Sequence, residues 1–134
     1  MESSPSAKLC LSEMVAALVI CRLGASEAIP DWATQGDFYS VTRTSDELSV
    51  VCSHVQVPAD VPCEKGWRGL KVEGPLDFGL VGILASIAGP LAAAGISIFA
   101  LGTFDTDYIL IKEEQYERAI TALSARGHTI KRRA

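Results

Sequence analysis

Ile96–Lys131, which reads ISIFALGTFDTDYILIKEEQYERAITALSARGHTIK, carries the signals from which the fold follows. Ile96–Thr103 and Tyr108–Lys112 are rich in β-branched and aromatic residues and flank a short polar turn, Phe104–Asp107, which predicts a hairpin. Glu113–Arg126 sets Tyr116, Ala119, Ile120 and Leu123 on one helical face, opens with acidic residues and stops at Gly127, so it reads as an amphipathic helix. His128–Lys131 supplies a last strand. Upstream, Arg68–Glu73 alternates side chains two by two and closes at Gly74-Pro75, a strand ended by a turn. From Leu80 to Ala94 the apolar residues Leu80, Leu84, Ile87, Leu91 and Ala94 recur at helical spacing, with Gly95 as a stop. Pro90 lies inside that helix, removes a backbone donor and demands a kink or a compensating neighbour.

The order strand, helix, strand, strand, helix, strand is the split βαβ arrangement of ferredoxin-like folds, an α+β class with antiparallel sheets and helices on one face. The N-terminal half repeats part of it. Sliding the chain by 60 residues sets Phe38–Val51 against Ile98–Ile111, both an apolar strand, an acidic turn and an apolar strand. Leu18–Leu23 matches the strand at Leu70–Glu73, but Ser26–Thr34, with Pro30, has room only for a short helix. The expected organisation is a degenerate unit at 1–65 followed by a complete unit at 66–134.

Composition narrows the function. The 134 residues carry a net charge of -4 spread along the chain, against a nucleic-acid surface, which needs a positive patch. Lys131, Arg132 and Arg133 read as a solvated tail. Cys10, Cys21, Cys52 and Cys63 lack the close spacing of thiolate zinc or redox centres and read as buried free thiols in a reducing cytoplasm. Met1–Lys8 is polar, unlike a leader, and the apolar Phe78–Ala100 is broken by Gly79, Gly82, Gly89, Pro90 and Gly95, short of the roughly 20 residues of a membrane span. His54 and His128 lie in no nucleophile-and-base pattern and are expected on the surface or at a strand end. Asp105 and Asp107 suit turn chemistry better than a metal site, the glycines form no phosphate loop, and Trp32 and Trp67 read as core or packing between units. The expectation is no enzyme, no cofactor and no metal.

Lys71–Phe78, Ile87–Ser97 and Thr103–Asp107 together resemble the small bacterial tandem ACT-domain proteins and the ACT units of the cytosolic arginine sensor family, with a looser likeness over Gly36–Val51. The resemblance implies a regulatory protein that binds an amino acid between the loop Asp77, Phe78, Gly79, Leu80, Gly82 and the segment holding Ile98, Thr103, Phe104 and Asp107. The chemistry agrees: unpaired amides at a helix start suit a carboxylate, and Asp107 suits an ammonium. Asp77 fits a helix N-cap equally well. Leu80 stands where the sensor family has an acidic residue facing its ligand, which favours an apolar or small polar amino acid over arginine. ACT units pair edge to edge, so a homodimer is implied. The alternative is a structural or protein-interaction module that has lost its ligand and acts through a sheet edge.

Overall fold

The computed structural model of the chain describes residues 8–73 and 82–133. Its contacts divide the backbone into two units, Ala16–Trp67 and a second made of the residues up to Val15 together with those from Arg68 on. The first strand, β1 (Cys10–Glu13), belongs to that second unit. This corrects the expected division at 65/66, which gave every early residue to the N-terminal unit.

The N-terminal unit contains β2 (Leu18–Leu23), a 3-10 turn (Asp31–Thr34), β3 (Ser40–Arg43), β4 (Leu48–Ser53), a second 3-10 turn (His54–Gln56) and the first half of β5 (Cys63–Val72). Its strands lie in the order β3-β4-β2-β5. Val19 and Cys21 of β2 and Val50 and Cys52 of β4 form one buried face, covered by Ala33 and Trp32 from the first 3-10 turn. Both positions where a full unit would carry a helix hold only such turns. Pro30 precedes the first turn and Pro58 follows the second, and the segments are too short to repay helix nucleation.

The C-terminal unit continues β5 from Arg68 and adds α1 (Ile83–Ala93), β6 (Phe99–Gly102), β7 (Asp107–Lys112), α2 (Tyr116–Ala125) and β8 (Thr129–Lys131). The strand order is β6-β7-β5-β1-β8. β1 runs antiparallel to β5, with Leu11 opposite Val72, and parallel to β8, with Leu11 opposite Ile130. Leu11, Leu70, Ile109 and Ile111 from the sheet meet Ile87, Leu91, Ala119 and Leu123 from the helices in one core. No helix among the described residues is long and apolar enough to cross a membrane.

The two helices follow their sequences to different degrees. α2 buries Tyr116, Ala119, Ile120 and Leu123, the face its periodicity predicts. α1 begins three residues later than expected, capped by Gly82 with no side-chain hydrogen bond, and buries Ile83, Ser86, Ile87, Pro90 and Leu91. Leu84 is 42% exposed. α1 is apolar almost all round, so its composition admits more than one inward face, and packing selects this one. Each helix ends on a glycine with positive φ, Gly95 and Gly127, and the amide of the next residue reaches back to Leu91 or Leu123. β6 is at most half-buried, so the apolar run ends in a partly solvated strand.

His128 answers the demand made by Pro90. Proline at 90 leaves the Ser86 carbonyl without its helical donor. His128 Nε2 lies 2.9 Å from that carbonyl oxygen, while Nδ1 accepts the Leu9 amide at 3.0 Å. These partners fix the neutral tautomer with the proton on Nε2. His128 is only 4% exposed: it does sit at the start of a strand, but as a buried bridge. We expect His128→Leu to orphan the buried Ser86 carbonyl at about 1–3 kcal/mol and the part-buried Leu9 amide at less. In a Pro90→Ala background the new amide at 90 recaptures the Ser86 carbonyl, so the same histidine change costs measurably less in denaturant titrations; equal cost in both backgrounds contradicts this bridge.

Candidate functional site

Strands β6 and β7 are joined by a turn built on two threonines. The Thr103 amide and hydroxyl both donate to the Thr106 carbonyl, at 2.8 and 2.9 Å, and the Thr106 amide donates back to the Thr103 hydroxyl at 3.2 Å. Thr106 is buried, and its own hydroxyl donates to the Val72 carbonyl at the end of β5. The turn is thereby pinned to the point where the chain leaves β5 and enters residues 74–81. Thr106 was not among the residues singled out from sequence, although Thr-x-x-Thr between two apolar strands is the signature of such a hydroxyl-closed turn.

Asp107 follows this turn as the first residue of β7, opposite Gly102. A Cβ on Gly102 would lie 3.4 Å from the Asp107 Oδ1, so the glycine leaves the carboxylate open space. Asp107 is half-buried, and no hydrogen bond or ion pair engages its carboxylate among the described residues. Phe104 projects from the turn with 81% of its surface exposed.

The structure brings Thr103, Phe104 and Asp107 together in this turn. Ile98 lies just before β6 and packs against the unit's core. Gly82 stands at the start of α1, with φ 80° and its carbonyl accepting the Ser86 amide at 2.8 Å. The amides of Ile83, Leu84 and Ala85 therefore have no acceptor within the helix. The N-cap position of α1 is Gly82, with no side-chain capping hydrogen bond among the described residues. Asp77, Phe78, Gly79 and Leu80 lie outside the described residues.

A second polar cluster in the same unit has the opposite character. Glu13, 6% exposed, accepts the Tyr116 hydroxyl at 2.9 Å and the Arg133 amide at 2.6 Å, and pairs with Arg132 Nε at 2.8 Å. Arg68 stacks over the Tyr116 ring 4.0 Å from its centroid. Arg132 also grips Glu117 with both terminal nitrogens. Burial alone would raise the Glu13 carboxyl, but the hydrogen bonds from Arg133 and Tyr116 and the Arg132 charge outweigh it and hold the group below its ordinary 4.5. Burial, then the Glu13 carboxylate, pushes the Tyr116 hydroxyl up. With both Glu13 oxygens occupied, the cluster ties β1 to α2 and to the chain after β8. Lys131, Arg132 and Arg133 are exposed, in keeping with a solvated tail, and Arg132 is in addition an ion-pair partner of Glu13 and Glu117. Sequence gave no signal for this, because four residues with two polar positions, Cys-Leu-Ser-Glu, are too short to announce a strand.

No cluster of three or more histidine, cysteine or acidic side chains suited to a metal occurs among the described residues. His54, Asp105 and the other acidic groups form no such set.

The ACT domain family matches residues 63–125, and a second family, described as an N-terminal domain, matches residues 17–60. The chain is 29% identical over 127 residues to the cytosolic arginine sensor for mTORC1 subunit 1 of Rattus norvegicus, covering 84% of this chain and 38% of that protein. It thus spans well under half the length of the curated relatives it matches. A crystal structure of a protein from Agobacterium tumefaciens is similar with a TM-score of 0.92 and 40% identity over 96% of both chains. Aspartate kinase from Synechocystis shares the fold over 97% of this chain and 28% of its own, with a TM-score of 0.68 and 18% identity.

The Glu13 cluster sets an acid limit on stability. A carboxylate held below its unfolded value contributes stability that is present above that value and lost as pH falls through the folded one. Unfolding free energy should therefore decline below about pH 4.5, and Glu13→Gln should flatten that decline while costing about 1–3 kcal/mol at neutral pH. Parallel pH profiles for the two proteins contradict this assignment.

Proposed function

We propose, from the match of residues 63–125 to the ACT domain family, that the chain is a non-catalytic regulatory protein that binds an amino acid in its C-terminal unit. The observation that carries the reading is the open carboxylate of Asp107 in a turn pinned to the end of β5. An α-amino acid offers an ammonium and a carboxylate on one carbon. Asp107 receives the ammonium, beside Thr103 and Phe104, and the amides at the start of α1 that have no acceptor within the helix receive the carboxylate. Asp77, Phe78, Gly79 and Leu80, which precede Gly82 in the sequence, complete the proposed set of ligand contacts with it, and Ile98 contributes apolar surface.

The rat relative is named an arginine sensor, and this supports amino acids as the ligand class. Leu80 supports a ligand other than arginine, since an acidic partner for a guanidinium is missing there. One site per chain is supported by the N-terminal unit: with buried Val50, Val51 and Cys52 set against buried Ile109, Leu110 and Ile111, the counterpart of Asp107 there is Leu48, fully buried, with no acceptor for an ammonium. β6 and β8 each pair on one side only among the described residues, an arrangement that supports edge pairing with a second copy. A ligand changes such an association only by binding one arrangement better than the other. The reading includes a cytosolic location, the one named for the rat relative.

Calorimetric titration with each of the twenty amino acids tests the proposal. We expect saturable binding of an apolar or small polar amino acid, weakened about 10- to 100-fold by Asp107→Asn, the range for loss of a charge-assisted hydrogen bond. Tight binding of arginine alone contradicts the ligand class, and binding unaffected at Asp107 contradicts the site.

A further inference from the structure

The N-terminal unit holds a thiol pair that the amino-acid reading does not use. Cys21 of β2 stands directly opposite Cys63 of β5. The Arg22 amide donates to the Pro62 carbonyl at 3.2 Å, which marks the neighbouring pair as the hydrogen-bonded one and Cys21–Cys63 as the pair without backbone bonds. In antiparallel sheets such pairs bring their Cα atoms to about 4.5 Å, inside the roughly 4.4–6.8 Å that a disulfide spans. Both side chains lie on the same face, around the core of Val19, Val50 and Cys52. All four cysteines of the chain are free thiols.

The two sulfurs differ in access. Cys21 is 1% exposed, whereas Cys63 is half-buried and lines a recess of about 400 Å³ together with His54, Val57, Pro58 and Lys65. We propose that Cys63 is an oxidant-accessible modification site, that a hydroperoxide entering this recess oxidises it, and that Cys21 resolves the product as a disulfide joining β2 to β5. In the first step the Cys63 sulfur attacks a peroxide oxygen, the O–O bond breaks, and water or an alcohol leaves, giving a sulfenic acid. In the second the Cys21 sulfur attacks the Cys63 sulfur, the S–O bond breaks, and the departing hydroxide takes the Cys21 proton to leave as water. Two thiols are oxidised and one peroxide is reduced.

Burial pushes the Cys21 thiol up to about 12, with smaller contributions from Cys52 and Cys63, so Cys21 does not meet oxidant first; it waits as the partner against which Cys63 condenses. Cys52 is offset along the sheet, opposite Val19 rather than either thiol of the pair.

Peptide mapping of the whole protein after limited hydrogen peroxide, with thiols blocked before cleavage at basic and acidic residues, decides the matter. Glu13 separates Cys10 from Cys21, and Asp60 separates Cys52 from Cys63. Free thiols should fall from four to two, with Cys21 and Cys63 in one linked peptide. Cys21→Ala should leave Cys63 as a sulfenic acid captured by dimedone, and Cys52→Ala should leave the link intact. Four unreacted thiols, a link through Cys10 or Cys52, or dimedone capture at another cysteine overturns the proposal. Amino-acid binding in the other unit does not bear on this result.

Discussion

Everything in the C-terminal unit depends on a strand that arrives from the opposite end of the sequence. β1 fills the space between β5 and β8, antiparallel to one and parallel to the other, so both of its backbone edges are bonded. Leu11 carries it into the core with no exposed surface. Two buried polar anchors fix its ends, His128 on the Leu9 amide and the Glu13 cluster with Tyr116 and Arg132. Each anchor also serves a second element: His128 replaces the donor lost at Pro90, and Glu13 closes the chain after β8. A buried, hydrogen-bonded acid and imidazole are costly in any other register, so they specify this insertion as well as stabilise it.

The two units share one turn and use it differently. Thr44 closes on Glu47 through the same amide and hydroxyl contacts with which Thr103 closes on Thr106. Buried Val50, Val51 and Cys52 correspond to buried Ile109, Leu110 and Ile111, an offset of 59 residues. The alignment at 60 suggested by composition is therefore one residue out. In a strand that slip exchanges the two faces, and it hid the comparison of Leu48 with Asp107. In the N-terminal unit that position feeds the core. In the C-terminal unit it carries an open carboxylate, next to a threonine hydroxyl that pins the turn to β5. The proposed site is thus a local divergence on a repeated scaffold.

The α+β class, the order of elements from Arg68 on, the inward face of α2 and both glycine stops were legible because each rests on local periodicity or backbone chemistry. The hairpins were legible for the same reason. What sequence did not disclose is long-range: β1 is four residues with a buried acid, and its membership in the distant unit is set by Val72 and Ile130 rather than by its neighbours. Pro90 announced a missing donor, but nothing local named His128 as its replacement. α1 was legible as a helix and not in its rotation, because an all-apolar helix has no sequence-defined inner face. In the candidate site, Asp107 and Thr103 were legible as turn residues, whereas Thr106 mattered through a contact 34 positions away.

Backbone amide hydrogen exchange of the whole protein, with and without a saturating mixture of the twenty amino acids, tests the account at its centre. The account predicts slowed exchange at residues 82–86 and 103–107, with β1 strongly protected in both states and residues 18–67 unchanged. Exchange unaltered everywhere, or protection gained only within residues 18–67, contradicts it.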